Sequence, residues 1–146
     1  HGMEHIAFHI SANAGETPRP LARIASGGEI SRVMLALKEA IAGRDLVSIL
    51  VFDEIDSGIS GRIAAAVGRK MQALSASHQT IAITHLPQIA SLADQHFSVR
   101  KKQIKQRTIT EVVALDEKAR TEEIAYLLAG EIVSDTARQH AQEMLR

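Results

Sequence analysis

Cysteine is absent from the chain, so neither a disulfide nor a thiolate metal site can form, a composition that fits a reducing compartment. Aromatic residues make up only 3% of the 146 positions, which leaves little surface for stacking unpaired bases. Net charge is missing as well. Seventeen basic and seventeen acidic residues cancel, so no global field draws the chain onto nucleic acid or an anionic membrane, and any such contact must be a local patch. No apolar run approaches the roughly 20 residues of a spanning helix, and the first residues do not form a signal peptide. These absences predict a soluble, cytoplasmic chain with no membrane partner. Its length suffices for one domain with a real core. A start at His1-Gly2 in place of methionine reads as a piece trimmed, tagged or cut from a longer polypeptide.

What is present is alternation. Residues 4–11 place Ile6, Phe8 and Ile10 at the period of a half-buried strand, and residues 12–20 collect Asn, Gly and two prolines in a loop. From Gly27, Ile30, Val33, Met34, Leu37 and Ile41 recur at helical spacing and end near Gly43. Residues 46–52 form a continuous apolar run of the kind buried on both faces of a parallel sheet. An alanine-rich helix is expected over 63–76, a second buried strand over 79–84, and a short helix over 86–93. Two strands follow at 97–101 and 108–115, joined by a basic connection, before amphipathic helices at 119–129 and 134–145 separated by Gly130. Strands alternating with helices predict an α/β fold with a largely parallel central sheet flanked by helices and an additional hairpin.

Three places carry chemistry. Asp53 and Glu54 stand together where the apolar strand ends, the edge at which α/β sheets present ligand-binding groups. One acid there can serve Mg²⁺, directly or through water, while the next orients and polarises an attacking water. The bland reading is a polar strand end, but Ile55-Asp56-Ser57-Gly58 adds another acid and a tight turn. Ser26-Gly27-Gly28-Glu29 has the form of a helix cap. Two successive glycines cost about 1 kcal/mol each relative to alanine, which is a poor choice for a cap alone and sensible if backbone must approach an anion at a helix start. His85 follows the second buried strand; it could be an ordinary surface histidine. A strand parallel to the first would bring it to the edge occupied by Glu54, where a ring N–H could meet a γ-phosphate oxygen. Residues 100–107 concentrate positive charge with no aromatic interleaved, the mark of a solvated hairpin tip more than of a DNA contact.

In order along the chain, Ser26-Gly27-Gly28-Glu29, Ile49 to Glu54, Asp56-Ser57-Gly58 and His85 resemble the signature motif, Walker B, D-loop and switch histidine of an ABC-type ATPase head. The longer strings LARIASGGEISRVMLALK, VFDEIDSGISG and ITHLPQIASLADQHF are similar to the RecN family of SMC-like bacterial proteins of DNA double-strand-break repair and recombination. Gly58-Ile59-Ser60 departs from the Leu-Asp D-loop of other SMC and transporter heads.

The resemblance implies ATP and Mg²⁺ as cofactors, Asp53 as the magnesium-associated acid, Glu54 as catalytic base and His85 as γ-phosphate sensor. It further implies that Ser26, Gly27, Gly28 and Glu29 meet ATP held by an opposing head, that Asp56, Ser57 and Gly58 communicate across that dimer, and that DNA is met by the full-length protein in the nucleoid. No P-loop is present: Gly61 and Gly68 are too far apart, and Gly68 is followed by Arg69-Lys70 with no Ser or Thr. Sustained heptads are missing too. Residues 1–146 are therefore expected to be the carboxyl-terminal lobe of a partial P-loop NTPase of ABC/SMC head type, inactive until joined by an amino-terminal P-loop lobe. Two other classes remain open: a dimerisation or docking module with no nucleotide of its own, and a transporter subunit, which lacks its coupling segment here.

Overall fold

The computed structural model describes residues 2, 6–11, 15–23, 26–44, 46–104 and 107–146. Two short strands, β1 (His9–Ile10) and β2 (Arg19–Pro20), pair antiparallel and lead through a 3₁₀ turn at Leu21–Arg23 toward helix α1 (Gly27–Ile41). Then come β3 (Ile49–Phe52), α2 (Gly61–Ser75), β4 (Gln79–Ala82) and the single-turn α3 (Pro87–Ala90). An antiparallel hairpin, β5 (Phe97–Ile104) with β6 (Arg107–Ala114), precedes α4 (Glu117–Ala129) and α5 (Asp135–Met144).

The crossover through α2 makes β3 and β4 parallel, with Ile49 opposite Gln79 and Phe52 opposite Ala82. The expected parallel relationship is therefore present, but the larger central layer is not. Among the described residues the strands form three separate two-stranded sheets.

The main core lies on one face of the β3–β4 pair. Leu50 and Phe52 point into it, against Leu35 of α1, Ala64, Val67, Met71 and Leu74 of α2, and Ile89 of α3. Those α2 positions recur every three or four residues, which puts them on one helical stripe. Gly68 belongs to the same stripe: a Cβ there would fall 2.8 Å from Leu92 Cδ1 and 3.1 Å from the Gln88 carbonyl, so only glycine lets α2 approach the α3 segment this closely. A second, smaller cluster joins Ala90, Ile124, Ala125 and Ala141, closing α4 and α5 against α3. Full burial of Ile124 is worth about 1.5–3 kcal/mol. Asp116 and Ser134 cap α4 and α5 by accepting from the Ala119 and Ala137 amides, and Gly130 takes φ 78° to end α4.

Several expectations need correction. The run at 46–52 is not covered on both faces: Ile49 and Val51 are 58% and 62% exposed, and Ile81 and Ile83 continue the same open face. Helices pack on one side only, and a continuous apolar run does not say how many of its faces are covered. Likewise Ile30, Met34, Leu37 and Ile41, the stripe that predicts α1, remain exposed, while Leu35 supplies the buried contact. Residues 6 and 8 are exposed, so the first strand is not half buried as expected, and residues 4 and 5 lie outside the described set. The basic segment is mostly strand, Arg100 to Ile104 belonging to β5, with residues 105 and 106 outside the described set.

Candidate functional site

The site is made where β3 leaves the core. Ile55 is completely buried and anchors the chain, so that the acids on either side of it face different ways. Asp53 and Glu54 are exposed, whereas Asp56 is turned inward and is 5% exposed. Glu54 is the one non-glycine residue with positive φ among those described, at 56°, a left-handed conformation that side chains adopt at a cost. Its carbonyl accepts from the Ser57 amide at 3.0 Å and closes the turn, and its own amide donates to Asp53 Oδ1 at 2.9 Å.

Helix α1 holds this turn from behind. Ser31 Oγ donates to the Asp53 carbonyl at 2.8 Å, and the Arg32 guanidinium donates to the carbonyls of Ile55 and Ser57 at 3.2 and 2.8 Å. The two glycines are where the helix touches the turn. A Cβ on Gly27 would run into the Glu54 carboxylate, and one on Gly28 would lie 2.9 Å from the Glu54 carbonyl. Close approach to this chain's own turn is thus a reason for glycine here, and it is a different approach from the expected one to an anion. Ser26 caps the helix through a long bond from the Glu29 amide, 3.5 Å.

Because β4 runs parallel to β3, its end emerges beside the turn. The Ile83 amide donates to the Phe52 carbonyl at 3.0 Å, and Thr84 and His85 follow. Asp56 Oδ2 receives two donors, the Thr84 hydroxyl at 2.7 Å and the His85 amide at 2.8 Å, and the His85 ring lies beside it with Nδ1 2.9 Å away. Burial pushes the Asp56 carboxyl up, but the Thr84 hydroxyl, the His85 amide and the His85 ring outweigh it and hold the group below the usual carboxylate value.

Between these segments lies an open cleft of about 550 Å³, bordered by Asp53, Glu54, Ser57 and Gly58 on one side and by Thr84 and His85 on the other. The expected acids and histidine therefore share one cleft. Ser26 to Glu29 do not line it, being set against the turn at Glu54 and Ser57. Among the described residues no group of three or more His, Asp or Glu side chains is arranged to hold a metal by itself. The exposed carboxylate of Asp53 suits Mg²⁺, which takes one or two carboxylates and completes its shell with phosphate oxygens and water.

Sequence reasoning missed Ser31, Arg32 and Thr84. The first two are polar residues one helical turn after the glycines, and Thr84 closes the expected strand just before the histidine; no motif marks any of the three.

No family model matches the chain. Curated proteins do, over nearly its whole length. The chain is 44% identical to DNA repair protein RecN of Halalkalibacterium halodurans over 144 residues, 50% to that of Treponema pallidum over 146, and 41% to that of Bacillus subtilis over 145. It covers 99%, 100% and 99% of this chain respectively, but only 26%, 26% and 25% of those proteins, at their carboxyl-terminal end. The chain thus spans about a quarter of the length of the relatives it matches. Two solved structures share its fold. One, the Smc head domain with a coiled coil and joint from Pyrococcus yayanosii, superposes with a TM-score of 0.61 at 24% identity, covering 82% of this chain and 22% of that one. The other, from work on ATP-driven dimerization and DNA-stimulated activation of SMC ATPases, gives 0.55 at 22% identity, covering 82% and 71%.

Proposed function

We propose that this chain, a RecN-family sequence by its whole-length likeness to the carboxyl-terminal end of those proteins, is one lobe of an SMC-like ATPase head that works in DNA double-strand-break repair. The observation that carries the reading is the shared cleft. Two exposed acids from the end of β3 and an exposed histidine from the end of β4 open onto it together.

In this reading a γ-phosphate enters between Glu54 and His85. Glu54 accepts a hydrogen bond from the attacking water and draws its proton, while its left-handed backbone and the brace from α1 set where the side chain leaves the turn. Asp53 would hold Mg²⁺, and the ion would supply neutralisation of the charge gathering on the phosphates. The His85 ring meets the γ-phosphate from the opposite wall. Ser26, Gly27, Gly28 and Glu29 serve the triphosphate of a second head, and Ser57 and Gly58, exposed at the rim, face that head.

The phosphate cradle comes from a separate amino-terminal lobe. Ile49, Val51, Ile81 and Ile83 form the open apolar face on which such a lobe would pack. ATP turnover is therefore expected only when the chain is combined with that lobe, and Glu54→Gln should abolish it. Turnover by the chain alone that disappears in Glu54→Gln would defeat the proposal.

A further inference from the structure

Every backbone carbonyl from Phe52 to Ser57 has a donor. The amides of Ile83, Ser57 and Ile59 serve the carbonyls of Phe52, Glu54 and Asp56 at 3.0, 3.0 and 3.3 Å. The alternate carbonyls, those of Asp53, Ile55 and Ser57, are served by side chains of α1: Ser31 Oγ donates to the first, and a single nitrogen of Arg32, Nη1, donates to the other two. Backbone holds half of the turn, and α1 holds the rest.

Arg32 reaches the turn by folding back along its own helix. Gly28, one helical turn earlier, leaves it the room: a Cβ there would lie 2.9 Å from Nη1 as well as 2.9 Å from the Glu54 carbonyl. The two carbonyls that Arg32 holds follow Glu54 by one and three positions. Glu54 itself has φ 56°, a conformation that persists only where the surroundings over-determine it. The Ser57 amide closes the turn from within, and the guanidinium, which has donors and no acceptor, pins it from outside. Arg32 does not border the cleft, so it acts on anything bound there only through the turn.

We infer that Arg32 is a positioning residue for Glu54: by holding the Ile55 and Ser57 carbonyls it keeps the left-handed turn from which the Glu54 side chain leaves, and so sets the rate of water attack and not the affinity for nucleotide. This rests on the reading of Glu54 as the group that polarises the water. No bond or proton changes hands at Arg32. Its part is to keep one backbone conformation in place while the chemistry proceeds at its neighbour.

The test uses the full-length protein carrying this chain. Steady-state ATP hydrolysis gives kcat and KM, and calorimetry gives the affinity for the slowly hydrolysed thiophosphate analogue of ATP. Arg32→Met keeps an unbranched stem that suits a helix and removes the donors. It should lower kcat by roughly 10- to 100-fold, the scale of a misplaced reacting group, with KM and analogue affinity within about twofold of the wild type. Arg32→Lys, whose one nitrogen carries three hydrogens, should recover part of the rate. Should the methionine variant not fold, Arg32→Gln repeats the comparison, its amide nitrogen ending two bonds short of Nη1. In single-turnover measurements on Glu54→Gln, adding Arg32→Met should slow the residual reaction no further, because a residue that acts through Glu54 has nothing left to aim. An unchanged kcat in Arg32→Met, a loss of analogue affinity that matches the loss of rate, no recovery in Arg32→Lys, or a further fall in the Glu54→Gln background would overturn the inference and leave the head reading standing. Wild-type turnover that survives Glu54→Gln would bring down both.

Discussion

Gly28 lies so near Ser57 that a methyl group on the glycine would come within 2.8 Å of the serine Cβ. The start of α1 and the turn after β3 are in this sense one unit, and the two glycines divide its duties. At Gly28 the obstacles include the Glu54 carbonyl, which is backbone and cannot move aside cheaply. Overpacking of this kind costs about 1–3 kcal/mol, against a gain of up to about 1 kcal/mol from alanine's helix preference. Gly28→Ala should therefore lower the urea midpoint of the chain. At Gly27 the obstacle is only the movable Glu54 carboxylate. Gly27→Ala should leave the midpoint nearly unchanged and reduce ATP turnover of the assembled head by displacing that acid.

Thr84 is a link that serine can replace and valine cannot. Valine would strip Asp56 of its shortest donor and leave the Leu86 amide without its acceptor. Loss of a part-buried hydrogen-bonded pair costs about 1–3 kcal/mol. Thr84→Val should show that loss in chemical unfolding at pH 7, and Thr84→Ser should recover most of it. Asp56 adds a pH signature. Its carboxyl is depressed in the folded chain, so its contribution is complete above the ordinary value of 3.8 and vanishes as pH falls through the folded value. Removing the Thr84 donor should shift that acid loss to higher pH.

His96 titrates in the other useful range. Burial depresses it, the Arg120 guanidinium depresses it further, and Glu123 opposes both; its Nδ1 is buried with no partner among the described residues. The unfolded chain binds a proton at the ordinary value of 6.5, whereas the folded chain resists it. Stability from this residue is complete above 6.5 and declines as pH drops through 6.5 toward the folded value. Thermal midpoints measured between pH 7.5 and 5.5 should fall less in His96→Gln than in the wild type.

Two of the five basic residues of segment 100–107 are engaged in ion pairs. Lys102 pairs with Glu111 at 2.5 Å and Arg100 with Glu123 at 2.6 Å. Replacing Lys101 and Lys102 with alanine should change DNA affinity of the full-length protein by less than about twofold and leave the slope of log affinity against log salt unaltered. A slope reduced by one or two units would identify the hairpin as a phosphate contact.

The sequence announced the site's acids and histidine better than the surroundings that hold them. Asp53, Glu54 and His85 were legible because each ends an apolar run, and a parallel pair of strands must deliver its ends to the same edge. Arg32 and Ser31 were not, since a polar residue on a helix carries no mark of whether it meets water or a carbonyl 23 or 22 positions away. Asp56 was placed in the right turn, yet its inward direction depends on Ile55 being plugged into the core, a fact of packing. The same limit explains the open stripe of α1: periodicity reports that a face is apolar, and says nothing of what covers it.

The positive φ of Glu54 has one last consequence. Holding an ordinary side chain in that region costs about 1–2 kcal/mol, which glycine would not incur. Put there, glycine would give a sturdier chain with no acid to work with. The molecule tolerates a weak spot in its own scaffold so that a carboxylate can stand where the chain turns.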